Sequence, residues 1–390
     1  MNRKFDFDTP VNRRGTGSYK WDIVKEDDVL PMWVADMDFQ TAPAIINALK
    51  KRVEHGVFGY TQVPENYYNA IINWFERRHN WHIQRDWILY TSGVVPAMSC
   101  VLKAITLPGE KVLVQTPVYN CFFSSIKNNG CEVIENQLVR QGNTYIIDYN
   151  DFEQKCADEK TTVFLLCNPH NPSGRVWRKE ELAKMNEICM KHGVKVISDE
   201  IHCELTMPGY TYTPFAAINE NCLNNSVTLN SPSKSFNTAG LQIANIICNN
   251  IILRRKIDRA ININEVCDVN PFGPIALEAA YNDSDEWLDE LKEYLYDNYI
   301  TLKKFFETNL PNLKVIHLEG TYLVWVDISE TGLSSEEAEE KLLKEGKVLI
   351  NSGTMYGQKA GEGYLRINIA CPKRTLLYGL ERIKKVFVNL

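Results

Sequence analysis

The sequence predicts an α/β protein, a large domain built on a mostly parallel sheet between helices, joined to a smaller α+β domain. Three observations predict it. Short β-branched apolar runs alternate with amphipathic, helix-like stretches between about residues 112 and 248. Runs such as VFLLC at 163–167 and VKVIS at 194–198 are apolar at successive positions, as strands covered on both faces are. Near residue 281 the pattern gives way to a long charged helical stretch followed by isolated strand-like segments, and 390 residues exceed one ordinary core.

Taken in order, the first 40 or so residues hold no strong helix and are expected to pack against the second domain or a partner subunit. This sets an N-terminal segment at 1–45, a large domain at 46–282 and a small domain at 283–390. Strands are expected at 112–115, 131–137, 162–167, 194–198, 227–229 and 243–248. Leu182, Met185, Ile188 and Cys189 recur at helical spacing, so 180–192 reads as a crossover helix that Gly193 stops. In the second domain, helices are expected at 285–310 and 334–345, and strands at 322–328 and 364–370.

Composition narrows the function. A formal charge of −6 argues against a nucleic-acid surface, which needs concentrated basic charge. No apolar run approaches membrane-spanning length, and residues 1–16 carry no apolar signal core. The 11 cysteines are scattered singly, without zinc-site spacing or a disulfide framework, so reduced thiols and a cytoplasmic protein are expected. Asp36 and Asp38 stand without a histidine or further carboxylates, so no metal site is expected; they read as a solvated turn or a salt-bridge site.

Five segments can carry chemistry. In TLNSPSKSFN at 228–237, Lys234 follows an apolar strand among small hydroxyl residues; a sequestered lysine amine can attack an aldehyde, while an exposed one is a surface charge. Ser231 and Ser233 could hold a phosphate. SDEIH at 198–202 ends another strand, where Asp199 could pair with a protonated pyridine nitrogen or simply cap a helix. CNPHNPSG at 167–174 demands an unusual tight turn after a buried strand and offers the Asn171 amide to a phenolate-like oxygen. YTSGVVP at 90–96 gives a strand end, Gly93 and a helix start at Val94, an arrangement that cradles phosphate. In GYLRINIA at 363–370, Arg366 lies inside an apolar strand and requires an anion, either a substrate carboxylate or a structural partner.

Together with the aromatic Tyr119, the order of these segments resembles the class I/II aminotransferase family of fold-type I pyridoxal-phosphate enzymes, across nearly the whole chain. The resemblance implies the aspartate-aminotransferase fold and pyridoxal 5'-phosphate as cofactor. By it, Lys234 carries the cofactor as a Schiff base, Asp199 pairs with the ring nitrogen, Asn171 meets the ring hydroxyl and Tyr119 stacks on the ring. Arg366 holds the substrate carboxylate. Gly93, Val94, Ser231 and Ser233 contact the phosphate, and Tyr60 reaches in from the second subunit of a homodimer.

Two positions depart from the wider family. Gln242 stands eight residues after Lys234, where an arginine often clamps the phosphate, and His202 stands three after Asp199, where a tyrosine often bonds the ring oxygen. Both departures, with NRRGTGSYKWD at 12–22 and MWVADMDF at 32–39, resemble the cystathionine β-lyase branch. Without that resemblance Trp33 and Phe39 read as core aromatics. The implied activity is β-elimination from cystathionine or cysteine-type amino acids to pyruvate, ammonia and a thiol. An aminotransferase acting on aromatic or other amino acids would use the same Lys234, Asp199 and Arg366, and a regulatory protein could retain the cofactor with little turnover.

Overall fold

The computed structural model describes residues 3–263 and 267–388. Its centre is a seven-stranded sheet. In chain order the strands are β1 (Ile88–Thr91), β2 (Lys111–Thr116), β3 (Glu132–Gln137), β4 (Thr161–Cys167), β5 (Lys195–Asp199), β6 (Ser226–Asn230) and β7 (Ala244–Ile247). They lie in the order β1-β7-β6-β5-β4-β2-β3. Only β7 runs antiparallel to its neighbours, so the other six end at one edge of the sheet.

The apolar runs are continuous because both faces are buried. Val112, Val114, Val163 and Leu165 face one cluster, with Val101 and Phe122 from the covering helices. Leu113, Phe164, Leu166 and Val196 face the other, against Leu182, Met185 and Cys189. Side chains alternate along a strand, so a run apolar at every position feeds two cores. The helix Lys179–Lys191 buries the four residues that its spacing singled out, and the chain turns away at Gly193, whose φ of +73° suits glycine.

A second sheet of four strands follows: β8 (Lys314–Val315), β9 (Leu323–Asp327), β10 (Asn351–Ser352) and β11 (Tyr364–Asn368), in the order β8-β9-β11-β10 with all pairs antiparallel. Beside it lie the long helix Asp285–Asn309 and the terminal helix Lys373–Phe387. The helix expected at 334–345 is α-helical over Ser335–Lys341 and then widens into a π turn, Leu342–Gly346. The strand expected at 364–370 ends at Asn368, whose side chain takes the N–H of Ala370 at 2.7 Å and bends the chain out of the ladder.

In the N-terminal 40 residues the described helix is one turn, Tyr19–Asp22. Leu30–Pro31 pairs in parallel with Val348–Leu349, and Phe7 packs against Phe39, Trp287 and Tyr294 at 5.3–5.6 Å between ring centroids. No described helix is long and apolar enough to cross a membrane. All 11 cysteines are free thiols.

Candidate active site

The motifs converge because the strands end together. β4 delivers 167–174, β5 delivers 198–202, β6 delivers the lysine loop, and β1 delivers Ser92 and Gly93, all at one edge of the sheet. Open α/β sheets bind ligands at such an edge. Around a cavity of about 190 Å³ there stand Gly93, Val94, Tyr119, Asn171, Asp199, His202, Ser231, Ser233 and Lys234.

Lys234 sits on a turn that hydroxyls and a strained asparagine hold rigid. The Ser231 hydroxyl donates to the Ile243 carbonyl at 2.7 Å and accepts the Ser233 N–H at 3.1 Å. Asn237, at φ +55°, takes the Met37 N–H at 3.0 Å and donates to the carbonyls of Met37 and Phe39. The Lys234 amine donates to the Ala35 carbonyl at 2.6 Å. Burial lowers it to about 8, with the Asp36 carboxylate opposing that shift and the Arg366 guanidinium adding to it. It is therefore a lysine that can present a neutral amine near physiological pH.

Burial likewise raises the Asp199 carboxyl to about 7, against the Ile201 N–H and the Lys234 charge, which both favour its ionised form. Its neighbour Glu200 is spoken for by Ser198, Tyr212 and the Phe215 N–H. His202 is held neutral, its pKa lowered to about 3 by burial and by the Lys234 and Arg366 charges, and its Nδ1 has no partner.

The turn after β4 is braced by a buried pair: the Ser173 hydroxyl lies 2.8 Å from His170 Nδ1, and His170 Nε2 lies 3.1 Å from the Gln115 carbonyl. That bracing aims Asn171, whose carboxamide oxygen accepts from Arg366 Nη1 at 3.2 Å, which leaves its NH₂ for a ligand. Arg366 is buried on β11, donates from Nη2 to the Trp33 carbonyl at 2.8 Å, and keeps Nε unpartnered. Among the described residues it forms no ion pair, so no carboxylate of the chain neutralises it.

Gly93 precedes the twelve-residue helix Val94–Ile105, whose first N–H groups and dipole favour an anion. Among the described residues lining the cavity, Lys234 is the only lysine or arginine. Gln242 takes a left-handed turn at φ +53° and does not line it. Tyr60 is fully exposed beside Val57 and Phe58 and lies away from its own chain's cavity.

Ala35, Tyr322 and the Asp36 carboxylate were not singled out by sequence for the lysine. The segment 32–39 did stand out, but a main-chain carbonyl has no residue signature. Asp36 and Asp38 form a salt-bridge site: Arg13 contacts them at 2.7 and 2.8 Å, and buried Lys20 contacts Asp38 at 2.8 Å.

These residues fit pyridoxal phosphate. A desolvated amine, a buried carboxyl lining the same cavity, an unpartnered imidazole nitrogen and a helix N-terminus are the groups that an aldehyde-bearing pyridine phosphate requires.

Comparison with known proteins agrees. The chain is 43% identical over 383 residues to the cystathionine beta-lyase PatB of Bacillus subtilis, covering 97% of this chain and 99% of that one. Cystalysin of Treponema denticola, a crystal structure containing pyridoxal 5'-phosphate, superposes with a TM-score of 0.96 at 36% identity and covers 99% of each chain. The PLP-bound C-S lyase of Staphylococcus hominis superposes with a TM-score of 0.92 at 32% identity, over 98% of this chain and 99% of that one. Residues 27–383 match the family described as aminotransferase class I and II, and the chain belongs to that family.

Proposed function

We propose that the protein is a pyridoxal-phosphate-dependent carbon–sulfur lyase, which converts cystathionine or cysteine-type amino acids and water to pyruvate, ammonia and a thiol. The observation that carries it is the buried Lys234 amine, facing a cavity shared with Asp199 and Asn171, on a chain so similar to PatB. Bound cofactor supplies the electron sink for the carbanion formed at Cα.

The chain supplies the rest. Lys234 would hold the cofactor through its amine and, when that amine is free, would take the α-proton. Asp199 would keep the ring nitrogen protonated, Asn171 and His202 would hold the ring oxygen, and Tyr119 would pack against the ring. Gly93, Val94, Ser231 and Ser233 hold the phosphate with the partner subunit's Tyr60, in a homodimer. Arg366, buried without an ion pair, takes the substrate carboxylate and so sets which bond to Cα stands ready to break. In this reading the large unit, 46–282, carries the cofactor, and the small unit, 283–390, with residues 1–45 against it, contributes Arg366. Free thiols throughout suit a cytoplasmic setting.

The test is release of pyruvate, ammonia and homocysteine from L-cystathionine, with keto-acid exchange followed in parallel. Wild type should give the three products in equal amounts and Lys234→Ala none. Keto-acid exchange without pyruvate would make the protein an aminotransferase, and cofactor binding with neither product a regulatory one. Equal rates in the variant would remove Lys234 from the chemistry.

A further inference from the structure

Residues 33–37 meet the cavity at Ala35, which lines it, and each of their five carbonyls accepts a side-chain hydrogen bond. Arg366 takes that of Trp33 at 2.8 Å, and Asn368 those of Val34 and Asp36 at 2.6 and 2.7 Å. Asn237 takes that of Met37 at 3.0 Å. The Ala35 carbonyl is shared: it accepts the Lys234 amine at 2.6 Å and the Tyr322 hydroxyl at 2.9 Å. Of these donors Lys234 is the one that the proposed reaction takes away and returns.

A carbonyl oxygen has two lone pairs and holds both donors at once. When Lys234 is engaged elsewhere, Tyr322 still satisfies the buried oxygen and keeps it in position. Tyr322 is fully buried, and burial pushes its phenol up, so the hydroxyl remains a donor. Its placement is specified at some cost. The preceding residue, Thr321, is β-branched yet adopts φ +72°, fixed by its N–H on the Leu205 carbonyl at 2.6 Å and by its hydroxyl accepting the Leu323 N–H at 3.1 Å. The Tyr322 ring then lies edge-on to His202, 6.2 Å between centroids. A phenol that merely needed a partner in the core would not have to share the lysine's acceptor.

We propose that Tyr322 is a positioning residue for Lys234: its hydroxyl fixes the Ala35 carbonyl as the place where the freed ε-amine rests, and thereby where that amine stands when it takes the α-proton. The inference rests on the assignment of Lys234 as the proton acceptor.

Tyr322→Phe tests it, since the ring and its packing remain. In the holoenzyme, kcat per bound cofactor should fall about tenfold while KM stays within about twofold, the pattern of an interaction made only during chemistry. The isotope effect from α-deuterated substrate should rise, because proton transfer becomes slower than the other steps. A variant that only folded less well would leave both unchanged per bound cofactor.

In the cofactor-free protein, acetic anhydride labelling of Lys234, followed by peptide mass spectrometry against the surface lysines, should be about threefold faster in the variant, because a less fixed acceptor favours the ammonium less. An unchanged labelling rate with an unchanged isotope effect would overturn the proposal. If labelling responds while wild type with cofactor gives no elimination, the lyase reading fails and the positioning contact stands.

Discussion

Asp199 and Lys234 are each buried at the expense of their charged forms, which ties the proposed chemistry to stability at single residues. The Asp199 carboxyl rises from its ordinary value to about 7, so above pH 7 the folded cofactor-free protein carries a charge that the unfolded chain holds more cheaply. The penalty is full above about 7, shrinks as pH falls and is gone below the ordinary carboxylate value; its ceiling is about 4 kcal/mol. Asp199→Asn should therefore raise the melting temperature of the cofactor-free protein at pH 8 by about 2–4 °C, with a smaller gain at pH 5, while abolishing elimination. Melting curves at the two pH values check it; equal shifts would mean that the charge is not the cause.

Arg366 gives the second residue-scale prediction. Arg366→Lys keeps the charge but loses the fork that spans Asn171, the Trp33 carbonyl and a ligand, so KM for cystathionine should rise about 30-fold or more. Steady-state kinetics at saturating cofactor decide it. Asp199 and Lys234 stood out because each sits at or just after a strand end in a rare local sequence, and Arg366 because it lies inside an apolar strand. What was not legible was the absence of a carboxylate partner for Arg366, since any of 49 acidic residues could have reached it.

At the scale of elements, the strands of the large sheet were readable because a two-faced core demands a run without polar interruption, and the crossover helix 180–192 because one face of it is apolar. The N-terminal strap was not. It owes its course to carbonyls whose distant partners, Lys234, Asn237, Tyr322, Arg366 and Asn368, lie 199–334 positions away, and no periodicity records them. Its charges do leave a test. Lys20 is 1% exposed and donates to Asp38, which also accepts from Arg13 and the Trp21 indole.

Removing one partner of a buried pair strands the other, at a cost of about 3–5 kcal/mol. Asp38→Ala should thus loosen 12–39 and make Arg13, Arg14 and Lys20 early trypsin sites, with the large sheet intact by circular dichroism. Asp38→Asn, whose single carboxamide oxygen still accepts from the Trp21 indole and Arg13 but turns an NH₂ towards Lys20, should be cut more slowly than Asp38→Ala. Identical digestion of wild type and Asp38→Ala would show that the ion pairs do not hold the segment.

For the whole molecule, the question is which chain completes a cavity whose lining contains one cation and whose expected phosphate ligand, Tyr60, stands fully exposed. If Tyr60 serves the neighbouring subunit, Lys234→Ala and Tyr60→Ala damage the same site from different chains. A mixed dimer then concentrates both lesions in one site and leaves the other with the Lys234 of one subunit and the Tyr60 of its partner, both intact. Each variant alone, freed of excess cofactor by gel filtration, should be weak. Equal amounts unfolded and refolded together should recover about a quarter of wild-type activity, because half of the dimers are mixed and half of their sites are whole. If Tyr60 instead served its own chain, every site in the mixed dimer would carry one lesion and mixing would restore nothing. Recovery therefore establishes the shared site and the dimer in one assay, and its failure with both variants folded would return Tyr60 to the surface as an ordinary exposed aromatic.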